Sequence, residues 1–413
     1  MRLARHAKTF SLAGIPMVGN LDSGGVIGLT PEGEALCSEL SSHDVLDKTV
    51  PDECRALVEH LKVGGYLEGS PEHKPKVASA YLHVTQRCNL SCRFCYSDDE
   101  QRNALPDPSL GELERAIDLL AKLGVSRLVI SGGEPFLRPD LASVASHARK
   151  RGVSEVVVLT NGLLINEKNL APLVGIVDCI AVAFDGASPT SAAHLRGGQR
   201  FERLVEAVER IRAAGISARI LPTLHAQNID DMEAYRDLAD RLGASLGFSL
   251  LTGIICELGA LSPTDEQLRE MATRARGLAL PGTDPFERVG GPLSARRSCG
   301  AGVSTLSVAA DGTVYPCHML HDRHLCMGNA FLDTAEKVMG SNVAKAFEHL
   351  DAGSFEGCSA CDARYLCGGG CRARALLSTG RLEASDPYCE LYRFQYEHIG
   401  KRLAQRFGPE GGG

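Results

Sequence analysis

The sequence predicts an α/β protein with a parallel central sheet, preceded by a small N-terminal domain and followed by a cysteine-rich region. Between about residues 80 and 280, six short β-branched runs are each followed by a stretch of helical periodicity. This alternation favours parallel strands joined by right-handed crossovers, in a barrel or an open sheet with ligands at the carboxyl ends of the strands. Fifteen cysteines without an export signal favour metal or redox chemistry over disulfides.

The first 74 residues predict a small winged-helix domain. Gly25–Gly28 is the expected strand, and Thr30 is the expected cap of a helix that begins at Pro31. A second helix is expected over Glu53–Leu61, and Gly64–Leu67 is typical of the turn into a wing. This layout separates the segment from the α/β block, which is expected over residues 75–285.

The elements of the α/β block follow one another in order. The predicted strands are Tyr81–Thr85, Arg127–Ser131, Glu155–Thr160, Cys179–Phe184, Ala218–Leu224 and Leu246–Leu251. The predicted helices are Gly111–Leu123, Leu141–Arg151, Asn166–Leu173, Phe201–Ala214, Asp230–Leu242 and Thr264–Ala279. The Gly/Pro-rich stretch Pro281–Pro292 predicts a linker to a cysteine-rich domain over residues 286–407, which closes with the helix Cys389–Phe407. Residues 408–413 are expected to form a disordered tail.

Charge and hydropathy exclude two classes of partner. The formal net charge is −7 and the sequence has no block of like charges, so a nucleic-acid-binding surface is not expected. No apolar run approaches the ~20 residues that a membrane-spanning helix needs. We therefore expect a soluble, cytoplasmic protein.

The first cysteine motif, Cys88-x3-Cys92-x2-Cys95, directly follows the first predicted strand. Three thiolates on one loop hold three irons of a [4Fe–4S] cluster, and no fourth cysteine lies close in the sequence. The remaining iron is then open, which suits an enzyme that ligates a substrate directly. A structural zinc site is the alternative, but such a site usually has four protein ligands.

This motif, with Phe94 before its last cysteine, resembles the signature of the radical S-adenosylmethionine (radical SAM) enzymes. Gly132-Gly133-Glu134-Pro135, after the second predicted strand, resembles the family's GGEP motif. The resemblance implies that the exposed backbone and the Glu134 carboxylate receive the ammonium group of SAM, since glycines permit close approach and a carboxylate pairs with an ammonium. It also implies a partial (β/α)6 TIM barrel.

Three further segments match the family pattern. Asn161 lies in a Thr-Asn-Gly segment after the third strand, and Asp185 lies in an Asp-Gly pair after the fourth. The residues before that pair are Ala183 and Phe184, whereas the family more often has Ser-Leu, so a serine contact to SAM is not expected here. Arg196 is similar to a family arginine near the SAM carboxylate, although a surface salt bridge is the alternative. The resemblance implies SAM and a [4Fe–4S] cluster as cofactors, and a 5′-deoxyadenosyl radical that abstracts hydrogen from an unactivated carbon.

The second cysteine set resembles the SPASM extension, in which seven cysteines bind two auxiliary iron–sulfur clusters. Its intervals are Cys299-x12-Gly312-x4-Cys317, then Cys358-x2-Cys361-x5-Cys367-x3-Cys371, then Cys389. By resemblance, one cluster is enclosed by Cys358, Cys361, Cys367 and Cys389, and the other is held by Cys299, Cys317 and Cys371. The cluster held by Cys299, Cys317 and Cys371 either has an open iron or has Cys326 as its fourth ligand. For the whole set of seven cysteines, a zinc ribbon is the alternative.

The remaining candidates have ordinary explanations. His318, His321 and His324 lie three residues apart beside Cys317, and we expect exposed or capping histidines. The scattered Cys37, Cys54, Cys179, Cys256 and Cys326 are, for the most part, expected to be small buried hydrophobes.

Together these patterns predict a radical SAM/SPASM maturase that acts on a genetically encoded peptide or protein, with an oxidative outcome such as a thioether crosslink. The N-terminal segment resembles a peptide-recognition winged helix, in which a leader peptide adds as an extra strand. The implied partners are the precursor and an electron donor such as flavodoxin or ferredoxin. A radical SAM oxidoreductase of small molecules is the enzyme alternative, and a non-enzymatic iron–sulfur carrier is the alternative from another class. No catalytic acid, base or radical relay is identified.

Overall fold

The computed structural model describes residues 1–70, 76–97, 102–198, 200–277 and 293–407. The chain folds into two compact units. The first comprises Met1–Pro75, Arg288–Gly300 and Leu350–Gly413, and the second comprises Lys76–Glu287 and Ala301–His349. The N-terminal segment therefore shares a unit with the C-terminal cysteines. The expected boundaries at 74–75 and 285–286, the linker Pro281–Pro292 and the tail 408–413 lie outside the described residues.

The first unit begins with a three-stranded antiparallel sheet and two helices. Its strands are β1 (Ala7–Leu12), β2 (Ile15–Asn20) and β3 (Val26–Gly28), in that order across the sheet, and its helices are α1 (Pro31–Ser42) and α2 (Arg55–Val63). The Thr30 hydroxyl accepts a hydrogen bond from the Gly33 N–H at 3.2 Å, so the expected cap is formed. The β1–β2 hairpin is present although the sequence analysis did not predict it.

The second unit contains the parallel sheet. Its strands are β4 (Ser79–His83), β5 (Arg127–Ser131), β6 (Glu155–Thr160), β7 (Cys179–Phe184), β8 (Ser217–Leu224), β9 (Ser245–Leu246) and β10 (Ser249–Leu250). Its helices are α3 (Leu110–Lys122), α4 (Leu141–Lys150), α5 (Glu167–Leu170), α6 (Phe201–Ala213), α7 (Met232–Leu242), α8 (Ile255–Leu258) and α9 (Asp265–Gly277). Strands β4 to β8 pair in parallel in chain order, and β9 and β10 both pair with β8. The predicted α/β class is confirmed, although the expected single strand Leu246–Leu251 is two short ones.

An antiparallel extension continues this sheet beyond β4. It consists of β11 (Thr305–Val308), β12 (Thr313–Tyr315) and β13 (Gly328–Asn329), with the short helices α10 (Ala335–Met339) and α11 (Asn342–Glu348). Strand β11 pairs in parallel with β4, and β12 and β13 follow in antiparallel order. The strands follow the order β10-β8-β7-β6-β5-β4-β11-β12-β13 across the sheet. Strand β4 is therefore an interior strand, and the loop that follows it starts from the interior of the sheet rather than from an edge strand.

The C-terminal part of the first unit is helical. It contains α12 (Arg364–Cys367), α13 (Arg372–Thr379) and α14 (Cys389–Phe407), and α14 has the bounds that the sequence predicts. Among the described residues, no helix is both long enough and apolar enough to cross a bilayer.

Candidate functional site

A cavity of about 400 Å³ lies at the carboxyl ends of the parallel strands in the second unit. Most of the residues that the sequence analysis placed at the site border it, namely Cys88, Cys92, Phe94, Cys95, Gly132, Gly133, Asn161 and Arg196. They come from the loops after β4, β5, β6 and β7, so the parallel topology is what brings them together. Glu134, Pro135 and Asp185 are absent from the cavity wall.

Hydrogen bonds hold the cysteine loop after β4 at its start and at Arg93 within it. At its start, Asp107 receives hydrogen bonds from the Thr85 hydroxyl at 2.5 Å and from Arg87 Nε at 3.1 Å. Burial raises the pKa of Asp107, but the bonds from Arg87 and Thr85 outweigh burial and hold that pKa below its usual value. Within the loop, the Arg93 N–H donates to the Leu195 carbonyl at 2.7 Å. Phe94 takes a left-handed backbone conformation, with φ of 56°.

The two glycines of the Gly-Gly-Glu-Pro segment are required by close packing against the strand end that leads into Cys88. A Cβ at Gly132 would lie 2.4 Å from the Thr85 carbonyl oxygen, and one at Gly133 would lie 2.1 Å from the Arg87 carbonyl oxygen. The Gly133 N–H donates to the Thr85 carbonyl at 2.8 Å. The glycines therefore let this turn pack directly beneath the cysteine loop, and their backbone borders the cavity.

The Glu134 carboxylate has other partners than those expected for it. It is fully buried, and its Oε1 accepts hydrogen bonds from the Phe136 N–H at 3.1 Å and the Thr160 hydroxyl at 2.8 Å. Its Oε2 accepts from the Asn161 N–H at 2.8 Å. Burial raises the pKa of Glu134, and these three hydrogen bonds oppose the rise. Glu134 therefore joins the turn after β5 to the loop after β6. The backbone of Gly132 and Gly133, and not the Glu134 carboxylate, borders the cavity.

Asp185 also accepts hydrogen bonds from a loop and does not border the cavity. Its carboxylate accepts hydrogen bonds from three consecutive backbone N–H groups, those of His194 at 3.2 Å, Leu195 at 2.8 Å and Arg196 at 2.7 Å. Arg196 Nη1 donates to the Phe184 carbonyl at 2.8 Å. Since Leu195 in turn accepts from the cysteine loop, Asp185 fixes the segment that supports that loop.

The positive charge of Arg196 opposes the effect of burial on the pKa of Cys92. Burial raises the pKa of Cys92, and Arg196 opposes that rise more than any other nearby charge. Asn161 donates from Nδ2 to Asn89 Oδ1 at 2.7 Å, which ties the loop after β6 to the cysteine loop. Ala183 borders the cavity at the position where the family more often has serine, so no hydroxyl is available there.

The expectation of exposed or capping histidines is wrong for two of the three. His318 is half-buried in the cavity wall, and its ring stacks on Tyr81 at 3.9 Å and meets the Tyr96 ring edge-on at 5.4 Å. Burial and the nearby His321 lower the pKa of His318 to about 3. His321 is also half-buried, and only His324 is exposed. Nothing in the spacing of these residues indicated that aromatic side chains from β4 and the cysteine loop would cover them.

In the first unit, four of the predicted ligands surround a small cavity of about 30 Å³. They are Cys358, Cys361, Cys367 and Cys389. Burial raises the pKa of Cys367 to about 12 and that of Cys389 to about 11, and the neighbouring thiols add to both shifts. This is the set that the SPASM resemblance assigns to one enclosed cluster.

A buried ion pair lies beside this cavity. Arg374 donates to Asp386 from Nε at 2.9 Å and from Nη2 at 2.7 Å, and both side chains are almost fully buried. Asp386 also accepts from the Cys371 N–H at 2.6 Å. Burial raises the pKa of Asp386, but Arg374 outweighs burial and the pKa lies below its usual value. The pair therefore fixes the backbone at Cys371.

The other cysteines are divided between the units. Cys299 and Cys371 belong to the first unit, and Cys317 belongs to the second. Burial raises the pKa of Cys371, and Cys299 contributes to the rise. Cys326 is exposed, with its Sγ 3.6 Å from the Gly328 carbonyl. Of the remaining cysteines, Cys37, Cys54 and Cys179 are buried as expected, whereas Cys256 is exposed. Within the described residues, no three His, Cys, Asp or Glu side chains form a site for a single metal ion.

Two family models match the chain. The radical SAM superfamily model matches residues 82–239, and the model of the SPASM iron–sulfur cluster-binding domain matches residues 299–362. The PqqA peptide cyclase of Ruegeria pomeroyi is 28% identical over 346 residues, which cover 76% of this chain and 87% of the relative. The mycofactocin maturase MftC of Mycolicibacterium smegmatis is 30% identical over 320 residues, covering 74% of this chain and 81% of the relative.

A third relative and two solved structures extend the comparison. The AdoMet-dependent heme synthase of Methanosarcina barkeri is 27% identical over 339 residues, covering 75% of this chain and 95% of the relative. The structure of anSMEcpe with bound AdoMet (SAM) has a TM-score of 0.66 at 19% identity, covering 79% of this chain and 94% of that one. Streptococcus suis SuiB bound to its precursor peptide SuiA has a TM-score of 0.61 at 14% identity, covering 94% of this chain and 99% of that one. At these identities the two structures establish a shared fold.

Proposed function

Because the chain belongs to the radical SAM enzymes that contain a SPASM domain, we propose that it is a maturase that modifies a ribosomally made peptide or protein. It is a radical SAM enzyme, with SAM and [4Fe–4S] clusters as its cofactors. The peptide substrate is supported by the names of its relatives, a PqqA peptide cyclase and a mycofactocin maturase. The modification that fits an open auxiliary site is oxidative, such as a thioether crosslink.

The single observation that carries this proposal is the cavity in which three thiols and a glycine turn meet. Cys88, Cys92 and Cys95 would hold three irons of the cluster, and the backbone of Gly132 and Gly133 borders the same cavity. When bound, SAM and the reduced cluster supply a radical that abstracts a hydrogen atom from the substrate. The donor set fits, since the thiols are only half-buried and face a common space.

The chain's own residues orient the cofactors and exclude water. Glu134 and Asp185 fix the loops that border the cavity, by three hydrogen bonds each. Phe94 and Leu195 belong to an apolar cluster with Leu251, Leu258 and Leu261, so this wall of the cavity is hydrophobic. A shielded wall of this kind protects a reactive intermediate from solvent. Cys358, Cys361, Cys367 and Cys389 would hold one auxiliary cluster, and Cys299, Cys317 and Cys371 the other.

Peptide recognition belongs to the N-terminal sheet in this proposal. Within the described residues, β3 pairs with β2 on one side only, which leaves an edge where a leader peptide can add as a strand. Val26 and Ile27 of β3 are half-buried apolar side chains beside that edge. Backbone pairing is the main contact. Val18 and Ile27 form a hydrogen-bonded pair between β2 and β3, like Pro16 with Leu29 and Asn20 with Gly25, so the Val26 N–H faces the open edge. Val26→Pro should therefore weaken peptide binding more than Val26→Ala.

The test is transfer of deuterium. The anaerobically reconstituted enzyme is mixed with SAM, dithionite or reduced flavodoxin, and a deuterated synthetic precursor peptide. We expect label from one defined carbon in 5′-deoxyadenosine and, for a crosslink, a product lighter by two hydrogens. Efficient SAM cleavage without label transfer from the peptide contradicts the proposal.

A second candidate is a radical SAM oxidoreductase that acts on a small molecule. It is favoured by the heme synthase relative, 95% of which is covered by the match, because the name of that relative does not denote a peptide modification. In this case the N-terminal sheet has a packing role only. Label transfer from a metabolite, together with none from the peptide, would establish this alternative.

A further inference from the structure

The N-terminal sheet is covered by side chains on both faces. On one face, Ala7, Val18 and Ile27 pack into a core with helices α1 and α2, which includes Leu36, Leu40 and Leu61. On the other face, Phe10, Leu12 and Met17 pack into a second core with residues from the far end of the chain, including Ala363, Leu366 and Tyr396. A strand buried on both faces has no solvent face of its own, so the sheet depends on both cores.

The second core also contains two of the four cysteines that surround the small cavity. Cys361 and Cys367 pack against it, and Ala363 and Tyr396 belong to both the core and the cavity wall. One layer of side chains therefore separates the β1–β2 hairpin from the four-cysteine cavity. Tyr396 further donates from its hydroxyl to the Leu366 carbonyl at 2.8 Å, which joins α14 to α12 within this layer.

Helix α14 connects the four-cysteine cavity to the β1–β2 hairpin. Cys389 is its first residue, and Tyr396, Ile399 and Leu403 lie about two, three and four turns further along the same apolar face. At Gly400 the helix approaches the hairpin so closely that a Cβ would lie 2.7 Å from the Cβ of Ala13. The position of Cys389 thus sets the position of the helix that supports the hairpin.

Polar contacts reinforce the same interface. The Ala295 N–H donates to the Gly24 carbonyl at 2.9 Å, in the turn between β2 and β3. Arg297 lies between two carboxylates, 3.4 Å from Asp22 near the sheet and 3.7 Å from Asp351 in the C-terminal segment. These partly buried pairs join the turn before β3 to the C-terminal segment.

We propose that the four-cysteine site is the structural anchor of the N-terminal sheet, so that loading this site with its iron–sulfur group holds the sheet and its open β3 edge in place. The free energy of binding four thiolates then stabilises the segment in which the thiols lie, and the shared core passes that stabilisation to the hairpin. Linkage is reciprocal, so disruption of the hairpin must also weaken binding of the group. The role of the sheet in peptide binding rests on the proposed function, but the anchoring itself does not.

The first arm of the test uses amide hydrogen exchange of the anaerobic, fully loaded protein. Cys389→Ala removes one ligand, and Cys256→Ala removes an exposed cysteine of the second unit as the matched control. We expect exchange of residues 7–20 to accelerate about tenfold or more in Cys389→Ala, with β6 as an internal reference that does not change. Loss of iron from Cys389→Ala without faster exchange at residues 7–20 would overturn the proposal.

The second arm changes residues that pack on the sheet and measures how well the protein retains iron. It leaves all the cysteine ligands unchanged. Phe10→Ala alters the face of the sheet that meets the cysteine segment, and Leu36→Ala alters the core on the other face. We expect iron to be lost to a chelator about tenfold faster from Phe10→Ala, and with a smaller acceleration from Leu36→Ala, whose core lies on the face of the sheet away from the cysteine segment. Equal rates in the two variants would refute the coupling. Neither arm uses peptide or SAM, so failure of the proposed function leaves both results valid.

Discussion

Gly133→Ala tests the packing beneath the cysteine loop. The added Cβ would lie 2.1 Å from the Arg87 carbonyl oxygen and 2.6 Å from its carbon, whereas such contacts are essentially never below 3.0 Å. Backbone must therefore move by about 0.9 Å, in the segment that leads directly into Cys88. The φ of Gly133 is not positive, so the effect is steric and not conformational. Overpacking of this kind costs about 1–3 kcal/mol, and a displacement near 1 Å at a reactive site lowers rates about 100-fold.

The assay is the rate of 5′-deoxyadenosine formation from SAM in dithionite-reduced enzyme, with thermal unfolding measured in parallel. Gly111→Ala is the matched control, because it lies in α3 of the same unit, has no positive φ, and has only the Arg115 side chain, at 4.0 Å, near the added Cβ. We expect Gly111→Ala to keep the wild-type rate and to gain roughly 0.4–1 kcal/mol of stability, because alanine lowers the conformational entropy of the unfolded chain. A Gly133→Ala enzyme that cleaves SAM within about twofold of the wild-type rate would refute the reasoning.

Four further predictions follow from the same contacts. Replacing Cys88, Cys92 and Cys95 together by Ala should remove one of three clusters and all reductive cleavage of SAM; 5′-deoxyadenosine from this variant would contradict the site. Asp185→Ala leaves three backbone N–H groups without their acceptor, so SAM affinity measured by calorimetry should fall about tenfold or more, and an unchanged affinity would count against the loop's role. Arg374→Met leaves Asp386 buried and unpaired, so the free energy of unfolding should fall by about 3–5 kcal/mol in a denaturant titration, and a loss under about 1 kcal/mol would be inconsistent with the pair. Cys326→Ala should leave iron content and spectra unchanged if the cluster assigned to Cys299, Cys317 and Cys371 has an open iron; loss of that cluster would identify Cys326 as a ligand.

Buried parallel strands were the part of the fold most accessible from sequence. Arg127–Ser131, Glu155–Thr160 and Cys179–Phe184 have the predicted bounds because continuous apolar runs between helices have few other interpretations. The β1–β2 hairpin was missed because its strands are buried on both faces and show no clear alternation. Its turn, Ala13-Gly14, has positive φ at both residues and was the available signal. Likewise, Asp311-Gly312 marks the β11–β12 turn.

The site was predicted in its composition but not in all its contacts. The cysteine intervals placed three thiols at one cavity and four at another, because ligand spacing is a local property of the chain. The partners of Glu134 and the burial of His318 depend on elements brought together only by the sheet. A residue type indicates which interaction is available, whereas topology decides which neighbour receives it.

The two-faced N-terminal sheet has a consequence for synthesis on the ribosome. Phe10, Leu12 and Met17 emerge first, but the helix that covers them, Cys389–Phe407, emerges nearly 400 residues later. At a translation rate of about 5–20 residues per second, this helix is synthesised roughly 20–80 s after the hairpin. During that time an apolar sheet surface is exposed in the nascent chain, where it is a target for chaperones and for aggregation. Translation speed and chaperone supply should therefore govern the yield of folded protein in expression experiments.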